Sequence, residues 1–280
     1  LPIITPLDWD TKTPPPRCSE YFITLDKKSL AIWTSPPDNS DSTEFYESLL
    51  HLCKIMTGFF EICQTLTTFD TKDGPDDHVT IVDTGIEWLI RRWLLHSAPN
   101  DQIIGEEGPK PTLDITKRFW TLDPLDGTSN FIQKQPYIAL NMAGYNNGKL
   151  IFACVINPIQ DLEWYGYETN GKRYSNMTFI PSNTTQIGTE YKHTQTEQNR
   201  FYNTLLKKHN IKGAQFKSIS INLAQLLLIK APLFYKPNAK IWDMLAPMAL
   251  FHFAGLDTIF NHIYYSQGKH TIDDNCENVS

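Results

Sequence analysis

The sequence predicts a layered α/β chain in which part of the sheet is antiparallel. Three observations carry this. Stretches with apolar residues at helical spacing are interleaved with short β-branched and aromatic runs. Two of those runs are joined by Asn147-Gly148, a dipeptide that favours a tight hairpin turn. Of the 280 residues, 41 % are hydrophobic and 20 % charged, enough apolar surface for a sizeable core.

Residues 1–41 are Pro-rich, with Pro14-Pro15-Pro16 and Pro36-Pro37. They read as an irregular N-terminal arm with one candidate strand, Tyr21 to Leu25, and Trp9 and Trp33 suggest that the arm docks on something. Residues 42–280 form the main domain. Ser42 or Thr43 caps a helix to about Leu66, with Phe45, Leu49, Leu50, Cys53, Met56 and Phe60 at helical spacing. Thr71 to Asp77 reads as a loop. A second helix is expected from about Thr84 to His96, carrying Ile86, Leu89, Ile90, Trp93 and Leu94. Strands are expected over Phe119–Leu122, Ile138–Tyr145, Leu150–Ile156 and Glu163–Glu168. Further helices are expected over Phe201–His209, Ser218–Lys230 and Met244–Ala254, the last beginning just after Asp243.

Bulk properties exclude several classes. With 25 Lys+Arg against 31 Asp+Glu the net charge is −6, which argues against nucleic-acid backbone binding as the main task. Small anionic substrates stay open where metal ions supply positive charge. The richest apolar stretch, Ile219 to Ile229, is broken by Ser220, Asn222 and Gln225, so no bilayer span is expected. Leu1 to Asp10 does not look like a signal peptide, although the chain starts at Leu1 and a targeting segment upstream stays open. Five cysteines without a C-x-x-C argue against a disulfide scaffold or zinc ribbon and for a reducing, cytoplasmic setting. Glycosylation-type triplets at Asn176, Asn183 and Asn278 are read as chance matches in an Asn- and Thr-rich chain.

Three acidic clusters stand next to hydrophobic anchors: Gly105-Glu106-Glu107-Gly108, Asp123-Pro124-Leu125-Asp126-Gly127-Thr128, and Trp242-Asp243. A strand ending at Leu122 would deliver Asp123 and Asp126 around Pro124, aiming both carboxylates at one point. Gly127 lets the backbone approach a ligand, and a helical turn starting near Gly127-Thr128 would offer free N–H groups to an anion. Carboxylates beside an anion repel it unless a hard divalent cation, Mg²⁺ above all, sits between them. The combination points to metal-assisted phosphoryl chemistry. Each piece alone has a plain structural reading: a solvated turn, a charged loop, or a helix N-cap at Asp243 or Asp83.

Together these motifs resemble the inositol monophosphatase family, a lithium-sensitive, Mg²⁺-dependent group of phosphatases. Asp123 to Phe131, with Trp120 before it, is similar to the family's central signature, and Trp242-Asp243-Met244-Leu245-Ala246 to its W-D-x-x-A. Gly105-Glu106-Glu107 matches its G-E-E. Lys72, Asp77-His78-Val79-Thr80 and Asp83 resemble its upstream segment, and Asn157-Pro158 followed by Glu163 resembles a later strand pair. The resemblance runs from about residue 43 to 257.

The resemblance implies an αβαβα sandwich of the inositol monophosphatase and fructose-1,6-bisphosphatase type, two or three Mg²⁺ ions, and a homodimer. It implies that one metal is held by Glu106, Asp123 and the Leu125 carbonyl, and a second by Asp123, Asp126 and Asp243. The third ion would sit near Glu106. Phosphate would rest on the Gly127 and Thr128 amides. Thr128 and Asp83 would orient the attacking water, a role compatible with Asp83 also capping its helix. Ser218 falls at the substrate pocket, where Lys217 replaces the family's usual glycine, and Lys236 stands where inositol monophosphatases carry an acidic residue. Lys236 suits a second phosphate and equally suits an exposed surface position. The tail beyond Leu256 is short and polar and departs from the family's closing strands. The implied activity is hydrolysis of a small phosphorylated polyol such as inositol monophosphate or a related sugar phosphate. The alternatives are a 3′(2′),5′-bisphosphate nucleotidase, a fructose-1,6-bisphosphatase, and a non-catalytic scaffold that keeps the fold.

Overall fold

The computed structural model describes residues 37, 39–63, 70–71, 78–177, 186–188, 212–214, 218–228 and 240–255. Residues 1–36 of the arm, Lys72, Asp77, Lys217, Lys236, the predicted helix Phe201–His209 and everything after Gly255 lie outside the described residues.

Helix α1 (Thr43–Cys63) starts where the Ser42 hydroxyl accepts a hydrogen bond from the Phe45 amide at 3.1 Å. Its predicted apolar stripe is buried throughout. Strands β1 (Asp70–Thr71) and β2 (His78–Val79) form a short antiparallel pair. Helix α2 (Ile81–Ser97) begins three residues before the position expected from its apolar periodicity. The cause is a capping box: Thr80 Oγ1 accepts from the Val82 amide at 3.1 Å, while Asp83 Oδ2 accepts from the Thr80 amide at 2.7 Å. Asp83 therefore lies inside the first turn and is not the cap residue itself.

Six strands form the main sheet in chain order: β3 (Gln102–Gly105), β4 (Phe119–Asp126), β5 (Ala139–Asn146), β6 (Lys149–Asn157), β7 (Leu162–Thr169) and β8 (Lys172–Ser175). The β3–β4 pair is parallel and all the other pairs are antiparallel. The β5–β6 turn has Asn147 and Gly148 both at positive φ, 43° and 82°, as its sequence predicts. Strands β3 and β8 carry no clear strand signal in the sequence: each is only four residues long, and β8 is exposed throughout. Strand β4 does not stop at Leu122. Its pairing with β5 shifts between Asp123 and Asp126, so Pro124, which has no N–H to give, falls in an irregularity of the ladder.

Alternation sorts the sheet into two faces. Trp120, Leu122, Leu140, Met142, Phe152 and Cys154 join α1 and α2 in one core. Phe119, Ala139, Ala143, Ala153, Val155 and Trp164 join the other core with Ile221 of α4 (Ile219–Leu228) and Leu245, Ala246 and Ala249 of α5 (Ile241–Phe253). The small Ala residues on both surfaces let α5 lie close against the strands. A one-turn helix, α3 (Thr128–Ile132), follows β4 directly, where a helical turn was expected. Strands β9 (Gln186–Gly188) and β10 (Lys212–Ala214) make a separate parallel pair. Among the described residues no helix is long and apolar enough to cross a membrane.

Candidate active site

Strand β3 ends opposite Leu122, just before the irregularity of β4, and the first turns of α2, α3, α4 and α5 reach the same place. Asp123 sits at the β4 irregularity, only 1 % exposed, with Oδ1 accepting from the Leu125 amide at 3.0 Å. Glu106 follows β3 and its amide donates to the Leu122 carbonyl at 3.1 Å, which continues the ladder by one residue and sets Glu106 beside Asp123. Asp243 arrives from α5. It stands three residues into the helix-start motif and not at the cap: Lys240 is the cap residue, and its amide donates to Asp243 Oδ2 at 3.3 Å.

Glu106, Asp123 and Asp243 each bring an oxygen within 4.8 Å of the other two. Among the described residues this is the one group that could hold a metal ion. Burial pushes the Asp123 carboxyl well above its ordinary range, and the charges of Glu106, Asp126, Asp243 and Asp83 push it further the same way. Across the strand pair, Asn141 lies opposite Asp123 on the same sheet face, fully buried, with neither amide atom hydrogen-bonded. Three convergent carboxylates beside an unsatisfied polar group suit a hydrated, hard, oxygen-seeking cation. A divalent ion would relieve the repulsion that raises Asp123.

Asp126 is placed differently. Its Oδ2 accepts from the Ser218 hydroxyl at 2.7 Å, from the Ser220 amide at 2.8 Å and from the Ser220 hydroxyl. The carboxylate is thus bonded to the start of α4, and Ser218 turns its hydroxyl to Asp126 while also accepting from the Ile221 amide at 3.2 Å. Leu125 presents its carbonyl to Thr128 Oγ1 at 3.1 Å, and the same hydroxyl lies 3.0 Å from Asp83 Oδ1. Gly127 has φ 92°, and a Cβ there would come within 2.6 Å of the Tyr137 carbonyl, so both conformation and space demand glycine.

Glu87, Arg91 and Ser220 also build the site, and no motif of the sequence marks them as site residues. Glu87 is fully buried on α2, accepts from the Glu107 amide at 2.7 Å and the Gly108 amide at 2.8 Å, and pairs with Arg91 Nε at 2.7 Å. Arg91 in turn donates to the carbonyls of Ile103 and Pro109, both at 3.1 Å. The loop carrying Glu106 is therefore moulded around one buried ion pair, and a Cβ at Gly105 would overlap the Glu87 carboxylate. The available signal was an acid and a base four residues apart within a helix of buried apolar residues. For Ser220 it was a hydroxyl interrupting an apolar run.

The family model described as "Inositol monophosphatase family" matches residues 43–272. An inositol-1-monophosphatase of Rhizobium meliloti is 29 % identical over 193 residues, covering 65 % of this chain and 71 % of that protein. The Nus factor SuhB of Vibrio cholerae is 28 % identical over 184 residues, covering 63 % and 69 %. Among solved structures, the Thermotoga maritima IMPase superposes with a TM-score of 0.60 at 21 % identity, covering 74 % of this chain and 81 % of that one, which is a likeness of fold. The match spans all three acidic clusters, and they converge in space as well as in sequence order. This chain is a member of the inositol monophosphatase family.

Proposed function

We propose that this protein is a Mg²⁺-dependent phosphomonoesterase acting on a small phosphorylated polyol, with inositol monophosphate or a related sugar phosphate as its substrate. The observation that carries this is the meeting of Glu106, Asp123 and Asp243 within 4.8 Å, next to the Asp83–Thr128 contact. Bound divalent cations supply a water of lowered pKa and polarise the phosphoryl oxygens. Glu106, Asp123 and Asp243 are the residues to hold them, with the Leu125 carbonyl and Asp126 completing the donor set. Thr128 Oγ1 has one proton, and giving it to Asp83 leaves its lone pairs to accept from, and so orient, a nucleophilic water. The amides of Gly127 and Thr128 open α3 and suit a phosphate oxygen. Lys236 belongs to the substrate side of the same reading, and Ser218, whose hydroxyl is turned to Asp126, borders it through that carboxylate; lithium inhibition and a homodimer are part of the same proposal.

The test is a phosphate-release panel with and without Mg²⁺. The expected result is cation-dependent release from inositol monophosphate above release from a 3′(2′),5′-nucleoside bisphosphate or fructose-1,6-bisphosphate. Preference for the bisphosphates would move the substrate assignment. A relative named as a Nus factor supports a second reading, a binding protein that keeps the fold. Mg²⁺ binding with no release from any phosphate would favour it.

A further inference from the structure

Helix α4 is apolar apart from Ser220, Asn222 and Gln225, and Ser218 immediately precedes it. Ser218, Ser220 and Asn222 are all buried, where a hydroxyl or amide is costly unless bonded. The bonds of the two serines converge on one atom. The Ser218 hydroxyl, the Ser220 amide and the Ser220 hydroxyl all donate to Asp126 Oδ2. Asn222 Nδ2 donates to the Ser218 carbonyl at 2.7 Å and so fixes the residue that makes the first of these bonds. An N-terminal amide of α4, which has no partner inside the helix, is thereby satisfied by a carboxylate 94 positions earlier in the chain. Asp126 Oδ1 makes no hydrogen bond among the described residues.

We infer that Ser218, Ser220 and Asn222 form a latch that positions Asp126 as a single-oxygen cation ligand and ties occupancy of that ligand to the order of α4. This rests on the metal-site reading above. A carboxylate free to rotate offers a cation either oxygen or both. With Oδ2 held by three donors, Asp126 offers Oδ1 alone, in one orientation. By linkage, a cation that uses Asp126 steadies α4, and α4 steadies that cation. The residues Ser218 and Ser220 are positioning residues here, acting through Asp126.

The experiment is Mg²⁺ calorimetry and Mn²⁺ titration by electron paramagnetic resonance on the full chain, the Ser220→Ala variant and the Ser218→Thr variant, which keeps a hydroxyl. Amide exchange of residues 218–224 is followed with and without Mg²⁺. The expected result is binding weakened about ten- to hundredfold in Ser220→Ala for the cation that uses Asp126, the size of one hydrogen bond to a charged group. Near wild-type binding is expected in Ser218→Thr. Exchange at 218–224 should slow on adding Mg²⁺ to the wild type, and slow less in Ser220→Ala. Ser220→Ala isotherms that superimpose on those of a Mg²⁺-binding wild type, or a lowered melting temperature as its only change, would overturn the latch alone. A wild-type chain that binds neither ion would overturn the metal-site reading and the latch with it.

Discussion

Thr128 Oγ1 lies 3.0 Å from Asp83 Oδ1, joining the first turn of α2 to the first turn of α3 across 45 positions of sequence. The other oxygen of Asp83 is occupied by the Thr80 amide and hydroxyl, at 2.7 and 2.6 Å. One carboxylate thus caps a helix with one oxygen and orients a threonine with the other.

Thr128→Ala removes the hydroxyl and leaves the helix cap untouched. Turnover should fall by about 10²–10⁴, the usual contribution of a positioned proton-transfer group, while cation affinity stays near wild type. Thr128→Ser should recover most of the activity. Steady-state kinetics alongside calorimetry checks both. Asp83→Asn keeps one oxygen for the Thr80 amide and turns a donor toward Thr128 Oγ1, so turnover should fall while stability in urea unfolding changes by less than about 1 kcal/mol.

Glu87→Ala leaves Arg91 buried without its partner and the Glu107 and Gly108 amides without an acceptor. A destabilisation of about 3–5 kcal/mol is expected by chemical denaturation. In the fraction that folds, Mg²⁺ affinity should also fall, because the loop bearing Glu106 loses its mould.

Asp123 gives a pH signature with a definite sign. Its folded-state pKa is raised, first by burial and then by its acidic neighbours, above the ordinary 3.8. The folded protein therefore binds this proton more tightly than the unfolded chain. The resulting stability is fully present below about pH 4 and is lost as the pH rises through the raised value. Asp123→Asn removes the titration. In EDTA the variant should match the wild type at low pH and gain on it toward pH 7. Saturating Mg²⁺ at pH 7 should reverse the order. Urea midpoints across this pH range measure it.

Gly127→Ala forces an alanine to φ 92° with its Cβ against the Tyr137 carbonyl. The expected cost is about 1–3 kcal/mol in thermal or urea unfolding. Phosphate release should fall even where the protein folds, because the amides of residues 127 and 128 are displaced together.

Much of this was legible in the sequence because it is local. The apolar stripes of α1 and α2, the Asn147-Gly148 turn and the helical turn after Gly127 need only neighbours a few residues away. Helix starts were less legible: Asp83 and Asp243 both look like caps, yet each stands three residues inside, because an aspartate can bond back to the preceding backbone amide from there. The run of β4 past Pro124 was hidden because proline normally ends a strand. The partners of Asp126 and the Glu87–Arg91 mould were illegible for a different reason. They depend on which elements the sheet brings together, and a serine in an apolar helix or a glutamate among buried apolar residues says that a partner exists without saying which.

On the proposed function, the carboxylate cluster holds the cations that activate water for hydrolysis of a phosphate monoester. The most direct test is inorganic phosphate release from inositol monophosphate by the full chain, titrated with Mg²⁺ and repeated with Asp123→Asn. Release that rises saturably with Mg²⁺, stops in EDTA and is abolished in Asp123→Asn is the expected result. Release that is independent of Mg²⁺, or that persists unchanged in Asp123→Asn, would contradict it.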